Sequence, residues 1–595
     1  MPLLNLTKEQ IEEKIKYIDH YIHSQNSASG SLVDANANVD TKNIGILEAE
    51  MYKPDTIQVN RAMVQRKLTE KYGQKIADKY IEDIEKHRIY IHDETSLRPY
   101  CASITLFPFL LHGTKPLGGT SEAPKNIHSF CGSFVNLVYQ VASGFAGAIA
   151  TVEFLLYFDY FAKKTWGTNY IDLHTAEVRQ ALQGVVYALN QPASARGNQS
   201  VFWNISVLDR FYFEQLFGGF KFPDGTQPVY EGTFRKLQMF FMDWFRQERE
   251  RALLTYPVLT ASLLVDDEGK PKDKHFAWTC AEEMSKGLSF FVYESTSVDS
   301  LSSCCRLKSE FTDNTFSYTL GAGGVSTGSV QVITINMNRY VQTREEPFST
   351  LIDRVHMYLL AHRAVIEDYI EGGLLPAYST GFISLDKQFC TIGINGMLEA
   401  SEYVKGKADT VFFSSYLKEI YESNKKWKED TGVKFNTEFV PAENLGVKNA
   451  KWDKEAGLKV PRDCYNSYFF PVEDDSYNII DKLRLHGKEN TQWLDGGSAC
   501  HLNMEQLMSK EQAYELICIA GKLGVNYWTF NVLMTVCNDC GFINVNTENH
   551  CTKCGSKDID YATRVIGYLK RISSFSTERQ KEAGLRIYNK AGDSY

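Results

Sequence analysis

Three observations predict an α/β architecture. Helix-period patterns recur along the 595 residues, short runs rich in β-branched residues lie between them, and the two kinds of pattern interleave to the end of the chain. Residues 7–23 mix charged and apolar positions as a surface helix does. Residues 24–43 are rich in Ser, Asn, Ala and Asp and predict a linker or extended loop. The charge pattern of 60–87 predicts one or two amphipathic helices. Residues 144–166 are mostly apolar and aromatic, too long for a strand, and predict a buried helix; 233–251 and 351–370 predict two more. The clearest strand is 329–336, with Val330, Val332, Ile333 and Ile335, after a glycine-rich loop at 321–324. No internal repeat stands out. One composition shift, near Val536, divides the chain into an N-terminal extension (1–60), a main body (61–535) and a C-terminal module (536–595).

Composition narrows the class. Net charge is −9, and no basic cluster offers a nucleic-acid footprint. No apolar run reaches the roughly 20 residues that span a bilayer. The first 26 residues carry charges where a signal peptide would have an apolar core. A cytoplasmic protein is expected (host cytoplasm if virus-encoded), with no membrane and no nucleic-acid partner. Thirteen cysteines in such a chain predict thiols and metal ligands, not a disulfide framework.

Four of them form the most specific motif. Cys537-Asn538-Asp539-Cys540-Gly541 and Cys551-Thr552-Lys553-Cys554-Gly555 are two CxxC pairs, each closed by glycine. Each turn presents two thiolates to one ion, and four soft ligands close a tetrahedron with no position left for substrate. Structural Zn²⁺ is the expectation.

Thirteen residues after Cys554 comes Gly567, within Arg564-Val565-Ile566-Gly567-Tyr568-Leu569. Glycine lacks Cβ, so its backbone can pass close to another group. Loss of one Cα hydrogen leaves a radical delocalised over the adjacent amides. In this context Gly567 reads as a radical reservoir, and the metal knuckle as the base of its loop. Two further places stand out in the body. One is Ile89-Tyr90-Ile91-His92-Asp93 followed by Cys101; the other is Ser302-Ser303-Cys304-Cys305-Arg306, where arginine could lower a thiol pKa.

Taken in order, these pieces resemble the anaerobic, class III ribonucleotide reductases (catalytic subunit). Supporting matches are residues 35–40, His92-Asp93 before Cys101, Cys305-Arg306, residues 332–336, residues 391–396, Thr437-Glu438, Pro441-Ala442-Glu443, the CxxC pairs and residues 564–569. The resemblance implies a ten-stranded α/β barrel of two antiparallel five-stranded halves. A central finger loop, a C-terminal zinc ribbon and a glycyl-radical loop complete it. It implies that Cys305 at the finger tip carries a thiyl radical, that Cys101 faces the substrate from an early strand, and that the glycyl loop enters from the other side. Glu443, or Glu438, would move a proton near the ribose. The substrates would be ribonucleoside triphosphates and the effectors dNTPs and ATP. The assembly would be a homodimer, and the radical at Gly567 would be installed by an activase using S-adenosylmethionine and a [4Fe–4S] cluster.

Residues 196–199 are candidates for a specificity loop. The region Ser326-Thr327-Gly328-Ser329 lacks the asparagine of formate-using relatives. With Cys304-Cys305, this favours a thioredoxin- or glutaredoxin-like reductant, Cys304 sharing the redox cycle with Cys101; which of Cys304 and Cys305 bears the radical stays open. Only 33 residues precede Asp34, too few for the family's ATP-cone, so control by dATP through that module is not expected. Ile566 stands where threonine or serine is usual. Two other readings remain: a glycyl-radical enzyme related to pyruvate formate-lyase, and a non-enzymatic zinc-ribbon binding protein.

Overall fold

The computed structural model describes residues 6–589 except 32, 34–41, 194–198, 299, 305–306, 311–325, 440–443, 565–566 and 568. Its strands, in chain order, are β1 (Ile89–Ile91), β2 (Cys101–Ser103), β3 (Ile149–Ala150), β4 (Trp203–Leu208), β5 (Val258–Leu264), β6 (Phe291–Ser295), β7 (Ser300–Cys304), β8 (Leu307–Glu310) and β9 (Thr327–Asn336). They continue with β10 (Gln388–Asn395), β11 (Lys434–Glu438), β12 (Cys500–Met504), β13 (Tyr527–Val532), β14 (Met534–Cys537), β15 (Ile543–Asn544), β16 (Ile559–Arg564) and β17 (Leu569–Arg571).

Eleven strands form one sheet, in the order β11-β10-β9-β2-β3-β4-β5-β6-β13-β12, with β1 also on β9. β2 to β6 are mutually parallel. β9, β10 and β11 are parallel to one another, as are β12 and β13. The β2–β9 and β6–β13 junctions are antiparallel. Ten strands therefore make two five-stranded halves of opposite direction. The free edges meet where the run into β12 bridges to the end of β11: Glu438 pairs with Gly497, and Phe439 N donates to Gly497 O at 3.1 Å. The α/β expectation and the two-halves expectation both hold.

Helices cover the outside. One apolar cluster joins β3–β6, β12 and β13 to helices including Ile127–Ala142, Phe154–Trp166 and Arg235–Arg251. A second joins β1 and β9–β11 to Ile44–Tyr72, Gln74–Glu85, Phe348–Glu371 and Thr410–Thr431. Local sequence sets the helix ends. Asn126 and Ser129 form a capping box, as do Ser509 and Gln512, and the helix begun at Lys510 stops at Gly524 with φ +73°. Among the described residues no helix is long and apolar enough to cross a membrane.

Three sequence expectations differ in detail. The run 144–166 contains β3 before its buried helix, because Ile149 and Ala150 pair with β2 and β4. The helix expected from residue 60 begins at Ile44 and runs through to Tyr72, so position 60 lies inside it. Within 24–43, Ser27–Gly30 is a short helix.

The second half of the barrel has an uncommon pattern. β9, β10, β12 and β13 alternate apolar and polar side chains, which ordinarily marks a strand with one wet face. Yet they are buried almost throughout. Most of the apolar residues meet the helices, so most of the polar ones line the barrel interior. That interior positions the site.

Candidate active site

The C-terminal module is a four-stranded sheet in the order β15-β14-β16-β17. Cys537 ends β14, and the two CxxC turns bring all four sulfurs within 4.8 Å of one another. Cys537 Sγ lies 3.6 Å from Cys554 Sγ, and Cys540 Sγ lies 3.6 Å from Cys551 Sγ. Tetrahedral thiolates about 2.3 Å from zinc would sit about 3.8 Å apart, so these four fit such an ion. Gly541 (φ +71°) and Gly555 (φ +76°) close the turns in the left-handed region, where a side chain would be strained. Their N–H groups donate to Cys537 O and Cys551 O.

β16 runs from this knuckle towards the barrel and β17 returns, with Arg564 paired to Leu569. Gly567 is in the connection between them. It is buried, at φ +118°, and among the described residues no atom lies within 4 Å of where a Cβ would be. Its carbonyl accepts from Arg564 Nη1 at 2.6 Å. Arg564 is itself almost fully buried. Its Nε donates to Ser289 Oγ at 2.7 Å, its Nη2 to Ser289 O at 2.9 Å, and its guanidinium lies 5.1 Å from the centre of the Phe291 ring. Asn531 Nδ2 and Arg586 Nη1 donate to its backbone carbonyl. Burial pulls the guanidinium down to about 10, with Tyr527 opposing, so it stays charged at neutral pH. Thr255 Oγ1 holds Leu569 O at 3.1 Å. The tail is thus fastened to the ends of β5, β6 and β13 at one mouth of the barrel.

Cys101 begins β2 and is 2 % exposed. Its registered partner is Ser329, and Ala148, Ala150, Tyr100, Phe202 and Phe389 pack around it. β2 and β6 run in the same direction through β3, β4 and β5, and Ser289 lies two residues before the start of β6. Cys101, the first residue of β2, therefore lies towards the end of the barrel to which Arg564 is fastened.

The β7–β8 hairpin lies against β2, β3, β4, β5 and β6. Helices occupy the outer faces of those strands, so the hairpin is inside the barrel. Its stems leave β6 after Ser295 and rejoin β9 at Thr327, the end of the barrel opposite the tail's mouth. Cys304 closes β7 and pairs with Leu307. Cys305 and Arg306 lie outside the described residues, as do Glu443 and Arg196-Gly197-Asn198. Glu438 is described and buried, on β11. A cavity of about 480 Å³ at the hairpin-stem end is bordered by Thr105, Ser326, Tyr378 and Lys387.

Sequence reasoning missed the groups that hold the mouth. Asp453 is fully buried and accepts from Asn336, Asn338, Arg339 and Tyr465 at 2.7–3.1 Å. Asn449 donates to Asn395 on β10. Together they dock the helix Leu445–Glu455 against the ends of β9 and β10, just after the 440–443 segment. Arg249, also buried, donates to the same Ser289 carbonyl as Arg564, at 2.7 Å. Neither Asp453 nor Arg249 lies in a motif, so no local signal could have found them.

The family model described as anaerobic ribonucleoside-triphosphate reductase matches residues 48–588. Curated relatives of that name include one from Haemophilus influenzae, 25% identical over 223 residues (35% of this chain, 31% of that one), and one from Escherichia coli, 25% identical over 175 residues (27% and 24%). The matched stretches thus span under a third of those relatives' length. Solved structures agree over far more. An anaerobic ribonucleotide reductase superposes with a TM-score of 0.84 at 28% identity, covering 98% of this chain and 93% of the other. The Thermotoga maritima anaerobic ribonucleotide reductase in complex with dATP and CTP gives 0.81 at 27% identity, covering 98% and 100%.

Proposed function

We infer, for a chain that belongs to the anaerobic ribonucleoside-triphosphate reductase family, that it reduces ribonucleoside triphosphates to 2′-deoxyribonucleoside triphosphates without oxygen. The observation that carries this reading is the buried Gly567 fastened by Arg564 to the barrel mouth, at the end from which β2 starts with Cys101.

The chemistry asks for a radical because the ribose C2′ hydroxyl is a poor leaving group on an unactivated carbon. A glycyl radical at Gly567 takes the hydrogen of the Cys305 thiol and leaves a thiyl radical. The thiyl removes the C3′ hydrogen, and the 2′-oxygen then departs as water once protonated, with Glu443 or Glu438 as the proton carrier. Two thiols, Cys101 and Cys304, supply two electrons and two protons and close to a disulfide. The hydrogen returns to C3′ from Cys305, and the radical returns to Gly567. A thioredoxin- or glutaredoxin-like dithiol reopens the disulfide, so one dithiol is oxidised and one water released per deoxyribonucleotide. The serine opposite Cys101, bonded to Thr391 at 2.8 Å, supports a thiol reductant over formate. Cys537, Cys540, Cys551 and Cys554 would hold Zn²⁺, which contributes folding energy to the tail and takes no part in the reaction.

A homodimer with dNTP and ATP effectors and a separate S-adenosylmethionine/[4Fe–4S] activase complete the proposal. The three-part division at residues 60 and 535 belongs to it too: the four-stranded sheet begun at Met534 supports the second boundary.

Anaerobic activation followed by electron paramagnetic resonance tests it. The expected signal is a doublet from the one hydrogen left on the glycyl carbon, together with conversion of CTP to dCTP by a reduced redoxin. A doublet with pyruvate cleavage and no CTP reduction would move the chain to another glycyl-radical chemistry. Turnover with formate and not with redoxin would refute the reductant.

A further inference from the structure

One side chain on the barrel wall is held in an unfavourable state. β11 alternates. Phe435 faces the helices, its ring 4.7 Å from that of His356, and Thr437 Oγ1 accepts from Asn424 on the helix Thr410–Thr431. Lys434 faces the other way, its ammonium 6.0 Å from the centre of the Phe389 ring, and Phe389 packs beside Cys101. The two-residue period of a strand puts Asn436 on that inner face with Lys434.

Asn436 is 0 % exposed, and among the described residues neither its Oδ1 nor its Nδ2 has a hydrogen-bond partner. Its neighbour in register, Thr391, is already bonded to Ser329. Buried side-chain amides are almost always paired, because an unpaired one forfeits its bonds to water and gains nothing. A leucine would fill the same place without that penalty. An asparagine kept here, facing inward on the wall that carries Ser329 opposite Cys101, is explained by a polar occupant that arrives with substrate.

We propose that Asn436 binds the ribose hydroxyls of the ribonucleotide, donating from Nδ2 to one and accepting at Oδ1 from the other. The inference rests on the function proposed above and adds a substrate-binding residue to it. A carboxamide offers both donors and an acceptor, the complement of a vicinal diol in which each hydroxyl is both. A triphosphate fits less well, since Oδ1 would face its negative charge. Asn436 is one row along the wall from Phe389, which packs against the cluster of Cys101, Ala148 and Ala150, so a ribose presenting C2′ to that thiol brings its diol towards Asn436.

The test compares wild type with Asn436→Leu and Asn436→Ser after anaerobic activation. For Asn436→Leu the expected results are a CTP KM raised at least tenfold, an unchanged glycyl-radical signal, and a ligand-free Tm that rises by about 1–2 °C as the unpaired amide disappears. Asn436→Ser, which keeps a smaller donor and acceptor, falls between the two in KM. With 2′-deoxy- and 3′-deoxy-CTP as inhibitors, the penalty of the leucine variant shrinks for at least one analogue. An unchanged KM in both variants, a lowered Tm with loss of the radical, or an equal penalty for CTP and both deoxy analogues overturns the proposal; the last would place the contact on base or phosphates. Wild-type protein that reduces no ribonucleotide defeats the proposed function and this inference together. Wild-type turnover with an indifferent Asn436→Leu defeats this inference alone.

Discussion

The four-cysteine knuckle and the barrel mouth both gather reactive groups, and they do so by opposite means. The knuckle is local. Two turns, each ended by a left-handed glycine, bring four sulfurs together within a single stretch of chain. The mouth is assembled. Arg564 meets Ser289, Phe291, Asn531 and Arg586, which arrive from β6 and its approach, from β13 and from the end of the chain. A local site can form with its metal before the rest of the fold. An assembled one exists only once the barrel has closed. Gly567 depends on both, since β16 starts at the knuckle and ends at the mouth.

The sharpest way to break the comparison is at Gly567. Among the described residues no atom blocks a Cβ there, but φ +118° strains any residue that has one. Gly567→Ala should cost about 1–2 kcal/mol of stability and leave the fold intact. The glycyl doublet and all turnover should disappear. Circular dichroism, thermal melting and electron paramagnetic resonance on one preparation measure the three. A full-strength doublet in this variant would mean that the radical lives elsewhere and that the mouth is scaffold only.

The same contrast explains what the sequence could tell. Ligand spacing is a one-dimensional property, so Cys537, Cys540, Cys551 and Cys554 were legible from spacing, and their sulfurs do converge. The long helices were legible too, because their period repeats many times. β2 and β3, at three and two residues, are too short to show a period, and they surfaced only through their partners. The alternation of β9 to β13 was misleading in a physical sense. It looks half-wet, but closure of the barrel buries both faces and turns the polar side into a lining. Asp453, Arg249 and Asn436 matter through tertiary neighbours, and nothing adjacent in sequence marks them.

The second test acts on the local side. Cys540→Ser removes one of four thiolate ligands. It should lower bound zinc from about one per chain to near zero and cut the radical yield at least tenfold, because metal binding is folding energy for such a module. Metal analysis and spin quantitation report the two together. If zinc is lost while the yield stays at the wild-type level, the knuckle does not brace the loop, and the two regions are independent.

The smallest effect, and the finest discrimination, is expected at Arg564. Lysine keeps the positive charge but is a compact point donor, whereas the guanidinium makes three bonds at once: to Gly567 O, Ser289 Oγ and Ser289 O. Charge-assisted hydrogen bonds are worth about 1.5–3 kcal/mol each. Arg564→Lys keeps a charged donor and should forfeit about half of one of them, a roughly four- to thirteenfold lower radical yield at unchanged zinc content. The contact to the Gly567 carbonyl carries a further signature. A cationic donor at that oxygen draws density from the amide over which the unpaired electron spreads, so its loss should alter the α-hydrogen splitting of whatever doublet remains. A purely structural arginine would reduce the signal without changing its shape. An unaltered splitting at reduced yield would therefore leave Arg564 as a fastener of the loop, and restored yield with an altered splitting would make it an electronic partner of the glycine.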